Sequence, residues 1–261
     1  AGCLLLCGFG VREATDAPPV SAGEGGYARD LAGLWRFMRL TGPLQRLLGV
    51  MATATLGFAV FTGALLFHLN ARPDLAAHLP VLLAAPSLAS LAAAFVWPVV
   101  AAGTSNRTAL CAGAVLAGAG FIAFAAAPGF AMALAALVVV GAGLSAIPVM
   151  LWSMTADAID YGHLKGGARV EARVFGVFTF VQKTATGAAS LLIAAGLALG
   201  GAGAEAAGDA AVPMGVTVLV GAAPAGFMAL TAIIAWGYAI DRAAHAAIIA
   251  ALAQAENPPA R

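Results

Sequence analysis

Six apolar stretches, each near or above the ~20 residues that a helix needs to cross a bilayer, take up most of the chain: residues 44–69, 78–102, 108–127, 130–155, 173–199 and 213–240. A segment in lipid must satisfy its own backbone hydrogen bonds, and none of these stretches alternates like a barrel strand. The fold class expected is therefore an all-α membrane protein, a six-transmembrane-helix bundle. Hydrophobic residues at 62% against 10% charged exclude an ordinary soluble domain. A net charge of +1 gives no basis for nucleic-acid binding.

The first apolar run, Ala1 to Val11, is too short to cross and reads as the end of a preceding transmembrane helix. No basic region leads into it and no clear small-residue cleavage site follows, which argues against a secretory signal. The chain is expected to be the C-terminal part of a longer protein. Residues 12–43, with Pro18-Pro19, Gly25-Gly26 and scattered charges, form a polar interdomain loop whose end, Leu34 to Leu40, reads as a short amphipathic surface helix. Residues 44–240 are the bundle and 241–261 a tail. Cytoplasmic loops retain Lys and Arg, and the basic residues fall in one set of connections: Arg12, Arg29, Arg36, Arg39 and Arg46, then Arg107, then Lys165, Arg169 and Arg173, then Arg242 and Arg261. The intervening loops hold only Arg72. Both ends are thus expected in the cytoplasm, in a protein of the plasma membrane.

Ala and Gly crowd the spans, with Gly113, Gly118 and Gly120 in one and Gly141 and Gly143 ahead of Pro148 in the next. Lipid gives helices no hydrophobic reason to pair, so small residues that permit close approach supply the packing. The Gly141 to Pro148 segment is also a candidate bend for transport motion. Cys3, Cys7 and Cys111 lack metal-ligand spacing and read as packing residues without a disulfide.

Lys183 is the exceptional residue. It lies about 15 Å along a helix from Arg173, near the middle of a bilayer core. Snorkelling needs a helix end within side-chain reach, and here the end is too far. A charge at that depth normally faces a polar interior and marks a solute or ion pathway. Gly176, Thr179, Lys183, Thr186, Gly187 and Ser190 recur at helical spacing, leaving Val174, Val177, Val181 and Leu192 largely on the other side. Such a face suits the wall of an aqueous cavity. Lys183 can hold an anionic or hydroxyl-rich solute, or pair with a carboxylate from a preceding bundle and tune its affinity for a cation.

A loop of dense charge, from Asp157 to Arg173, leads into that span. Asp157, Asp160 and Tyr161, with Arg169 and Glu171, have the makings of a cytoplasmic gate whose pairs differ between states. The plainer reading is a solvated loop that anchors topology. Trp152, Trp97 and Trp236 lie near span ends, where an interfacial aromatic belt is the common explanation. Trp152 alone is favoured for stacking on a sugar, because it precedes the charged loop on the same span. His68, His78, His163 and His245 form no metal constellation. An enzymatic alternative rests on Asp157-x-x-Asp160, which is like the aspartate pairs holding magnesium and diphosphate in membrane transferases. It lacks the second acidic cluster, and Tyr161 stands where phosphatidyl-alcohol transferases want a glycine.

The run from Ser153 through Ala156-Asp157-Ala-Ile-Asp160-Tyr161-Gly162, Lys165, Gly167, Arg169 and Glu171 to Val177-Phe178-Thr179-Phe180-Val181-Gln182-Lys183 resembles the glycoside-pentoside-hexuronide:cation symporters of the major facilitator superfamily, typified by melibiose permease. The resemblance implies twelve spans in two six-helix bundles, of which this chain is the second, the C-terminal half of a major facilitator fold. It further implies that Asp157, Asp160, Tyr161, Arg169 and Glu171 belong to the gating loop and that Lys183 is the central lysine of the eleventh helix. The sodium or proton carboxylates, and much of the sugar recognition, would then lie in the first bundle. His163 and Ala172 depart from the pattern, where relatives often carry an acidic residue and a glycine or serine.

The reading is the C-terminal half of a cation-coupled sugar or glycoside symporter, working by alternating access and making no bond. No cofactor is called for beyond a coupling sodium ion or proton. Its partners are a small-molecule solute, the bilayer and a preceding N-terminal bundle. The alternatives are a lysolipid or other organic-solute carrier of the same family and a non-transporting membrane scaffold.

Overall fold

A computed structural model describes residues 41–166, 171–199, 214–240 and 242–256. Among these residues the chain runs α1 (Gly42–Asn70), α2 (Pro73–Ala76), α3 (Leu79–Gly103), α4 (Asn106–Ala125), α5 (Phe130–Gly166), α6 (Glu171–Leu199), α7 (Met214–Val220), α8 (Ala222–Trp236) and α9 (Arg242–Glu256), with no strand. Six segments are long and apolar enough to span: Gly42–Asn70, Leu79–Gly103, Asn106–Ala125, Phe130–Gly162, Val174–Leu199 and Met214–Trp236. Each falls within a few residues of a predicted stretch except at the end of the fourth. The short pre-bundle run 1–11 and the surface helix at 34–40 lie outside the described residues.

Local chemistry sets the breaks. Ser105 caps α4, its Oγ accepting from the Thr108 amide at 3.1 Å. The last span is interrupted at Gly221, three residues before Pro224, whose ring nitrogen cannot donate to the preceding turn. At the opposite end from Arg107, Arg72 forms a two-pronged pair with Asp74 at 2.9 and 3.1 Å and donates to the Ala127 carbonyl. That guanidinium holds the Asp74 carboxyl below its ordinary range.

Helix α5 is the central packing element, with its most extensive contacts to α4 and α3, while α8 packs on α1 and α4, and α1 on α6. Small residues make these seams. A Cβ at Gly143 would run into the Ala117 backbone, and one at Gly141 into the Pro86 backbone. Close approach is what glycine supplies at both sites. Beside Gly141, Ser90 donates to its carbonyl at 2.7 Å, and Trp97 Nε1 donates to the Ala142 carbonyl and Ser145 Oγ at 2.8 and 3.1 Å. Trp97 is therefore a buried seam residue and not part of an interfacial belt, because its indole N–H finds acceptors in the α3–α5 interface. The far half of the core is aromatic, with Phe61 against Phe121 and Phe124 at centroid distances of 4.6 and 5.8 Å.

Burial is unequal. About half of α1, α4 and α5 is buried, against 6% of the α3 span window and 17% of the α6 window. The two helices that flank the cavity below thus present broad uncovered faces, including Phe95, Val99, Phe180 and Leu191.

One expectation needs correction. The charged stretch after residue 155 is not wholly a loop: α5 continues to Gly166 and carries Asp157, Asp160 and Tyr161 on its final turns. No Pro interrupts those turns, and Met154, Thr155, Ala158, Ile159 and Gly162 keep a buried face turning inward at helical period while the charges sit beside it. The stretch read as a tail includes a further helix. Residues 242–256 form α9, which packs on α5.

Candidate functional site

A cavity of about 530 Å³ lies between α1, α3, α5 and α6. From α6 it takes Gln182, Lys183 and Thr186; from α5 Ser145, Pro148 and Trp152; from α3 Ser90; and from α1 Thr55, Phe58 and Thr62. Lys183 lies nine residues from Val174 and sixteen from Leu199, about 14 and 24 Å along the span. It is the charged residue of this lining, and no carboxylate pairs with it among the described residues.

The face of α6 around Lys183 follows from its sequence. Gly176, Thr179, Lys183, Thr186, Gly187 and Ser190 are all exposed, and a Cβ at Gly176 or Gly187 would meet only open space. Val174, Phe178, Ala185 and Ala189 are buried on the opposite side, packing the helix against the bundle. Leu192 lies half a turn around the helix axis from Lys183, away from the polar stripe, and is exposed, because α6 has little covering it there beyond α1 and α7. Thr186 donates to the Gln182 carbonyl and Thr179 to that of Phe175, each at 3.0 Å. Such back-bonding leaves both oxygens able to accept from a solute. Thr179 is one turn from Lys183 but outside the cavity lining. Trp152 lines the cavity and packs its ring against Phe175 and Phe178, at centroid distances of 5.5 and 5.7 Å.

At the Arg107 end a second group of polar residues gathers. Asp157 and Asp160 both face His245 of α9, with Nε2 3.5 Å from Asp157 Oδ1 and 3.4 Å from Asp160 Oδ2. Tyr238 Oη donates to the Met154 carbonyl at 2.8 Å, and burial, with the nearby Asp157, pushes that phenol well above its ordinary pKa. It remains a neutral donor that pins the end of the last span to α5. A recess of about 520 Å³ joins Asp157 and His245 to Asn106 and Arg107 at the α3–α4 turn. Asn106 there donates to Ser153 Oγ at 3.1 Å. Tyr161 is half-buried on the same turns of α5. Arg169 and the Glu171 side chain lie outside the described residues.

The profile of the MFS/sugar transport protein family matches residues 1–242. This chain belongs to that family. A curated relative, the glucuronide carrier protein homolog of Escherichia coli (strain K12), is 25% identical over 193 residues, which are 73% of this chain. The match covers 42% of the relative, so the chain spans well under two thirds of that protein's length. Six membrane-length helices and membership of the MFS/sugar transport proteins together make this an integral membrane protein.

Several residues of the cavity had escaped the sequence reading. Thr55 and Thr62 recur seven residues apart in an otherwise apolar span, which puts them on one face. Ser90 and Ser145 left no comparable pattern. His245 gave no local signal either, since its partners lie 85 and 88 residues away on another helix.

Proposed function

We propose that this chain is the C-terminal bundle of a cation-coupled sugar symporter, and that its solute is a sugar or glycoside bearing a carboxylate. The observation that carries this reading is Lys183 in a cavity whose lining holds no acidic residue. A cation at mid-membrane depth gains most from an anionic partner. Trp152 and Phe58 offer apolar faces for a pyranose ring, and the hydroxyls of Thr55, Thr62, Ser90 and Thr186 suit its hydroxyl groups. The relative's name, a glucuronide carrier homolog, agrees with that class.

The cavity would be completed by an N-terminal bundle ahead of residues 12–43, seated on the uncovered faces of α3 and α6. The sodium ion or proton is held there, and transport proceeds by rocking of the two bundles about the midplane site. Asp157, Asp160 and Tyr161, with Arg169 and Glu171, serve as the cytoplasmic gate. His245 adds a contact between the gate and α9. The distribution of basic residues favours an orientation with both ends of the chain on the cytoplasmic side of the plasma membrane.

Uptake by the full-length protein in vesicles tests this. A labelled glucuronide should accumulate only under a sodium or proton gradient, and Lys183→Leu should abolish accumulation while leaving membrane insertion intact. Unchanged uptake in that variant removes Lys183 from the mechanism. Movement of lysolipid in place of sugar would reassign the cargo, and no binding of any solute would make the protein a scaffold.

A further inference from the structure

The bundle carries a second groove on helices that take no part in the Lys183 cavity. It is an open trough of about 660 Å³ between α4 and α8, with Cys111, Ala112, Val115 and Ala119 on one side and Ile233 and Trp236 on the other. Its lining is almost wholly apolar. The one hydroxyl there, of Thr108, is engaged with Ser105 Oγ at 2.8 Å. Ile233 and Trp236 are 69% and 61% exposed, so in a membrane this surface meets acyl chains. From Thr108 to Ala119 α4 rises about 16 Å, close to the ~15 Å of hydrocarbon in one leaflet. Alanine at 112 and 119 keeps the trough open over that length.

The groove ends at a cation. Arg107 sits over the Trp236 ring at 5.1 Å and donates through Nη1 to the carbonyls of Trp236 and Tyr238 at 3.4 and 3.3 Å. These contacts hold the guanidinium at the mouth of the trough and use one of its three nitrogens. No acidic side chain pairs with it among the described residues, since Asp157 in the adjoining recess is engaged by His245. Among the described residues Nε and Nη2 have no acceptor, and both sit at the level where a tryptophan marks the headgroup region.

We propose that the α4–α8 groove binds one anionic phospholipid, with an acyl chain along Ala112 to Ala119 and the phosphate on Arg107. A zwitterionic headgroup satisfies the donors but leaves the charge of Arg107 compensated only in part, so an anionic lipid is preferred. The site is independent of what the Lys183 cavity carries.

Brominated lipids test the proposal, because bromine quenches a tryptophan that it touches. The full-length protein is placed in nanodiscs of phosphatidylcholine containing graded amounts of brominated phosphatidylglycerol or brominated phosphatidylcholine. The Trp236 signal is taken as the difference from Trp236→Phe. Half-quenching should need about fivefold less of the anionic lipid. Arg107→Gln should bring the two lipids level, and Arg107→Lys should keep a preference. Ala112→Phe, which fills the trough and leaves the guanidinium, should remove the preference as well. Equal quenching by both lipids in the unaltered protein, or a preference that survives Arg107→Gln, overturns the site. Should Arg107→Gln fail to insert, Ala112→Phe decides alone, and a preference surviving it has the same consequence.

Discussion

Replacing Gly141 by alanine tests the packing of α3 on α5 with a single methyl group. The new carbon would run into the Pro86 carbonyl oxygen and would lie 2.7 Å from Pro86 Cα and 2.8 Å from its carbonyl carbon, whereas ordinary contact begins at 3.4 Å. The seam must therefore open by more than about 0.7 Å. All three atoms are backbone, so no side chain can turn aside to make room. Overpacking of this kind costs about 1–3 kcal/mol, and strain on the Ser90 bond to the Gly141 carbonyl adds ~0.6 kcal/mol. Alanine's better helix propensity returns ~0.5–1 kcal/mol. The net loss expected is about 1–3 kcal/mol. Gly226→Ala in α8 provides the opposite sign, since its methyl meets open space and only the propensity gain remains. Reversible unfolding of the purified full-length protein in mixed micelles, titrated with dodecyl sulfate, should rank Gly141→Ala below the unaltered protein and Gly226→Ala at or above it. Equal stability of the two variants would refute the close-approach argument.

Other substitutions probe single contacts by the same unfolding assay. Thr231→Val removes the buried partner of Thr53, 2.8 Å away between α1 and α8, and should cost ~0.6–1.7 kcal/mol, the range of interhelical hydrogen bonds in lipid. Tyr238→Phe removes the hydroxyl that donates to the Met154 carbonyl and should cost ~1 kcal/mol. His245→Ala should raise hydrogen exchange across residues 242–256 while moving bundle stability by less than ~1 kcal/mol, because its pairs with Asp157 and Asp160 are partly exposed.

Much of the fold was legible because bilayer thickness acts on composition: an apolar run must be about as long as the membrane is thick, whatever its neighbours. That is why six spans emerged within a few residues of their observed ends. The end of α5 was misjudged for the same reason. Hydropathy stops at Asp157, but hydrogen bonding continues to Gly166 on the strength of a narrow buried face. Lys183 and its stripe were readable because a charge in an apolar helix stands out alone. Trp97 and His245 were not, since each is decided by acceptors on a helix distant in sequence: Ala142 and Ser145 for one, Asp157 and Asp160 for the other. Nothing local separates a seam tryptophan from an interfacial one.

The central claim is that Lys183 meets an anionic sugar, and equilibrium binding of two glycosides differing only in a carboxylate against a hydroxymethyl group tests it most directly. The full-length protein should bind the carboxylate form about tenfold more tightly, the worth of one charge-assisted hydrogen bond, and Lys183→Gln should bring the two affinities level. Equal affinities in the unaltered protein, or a preference that persists in Lys183→Gln, would contradict the account.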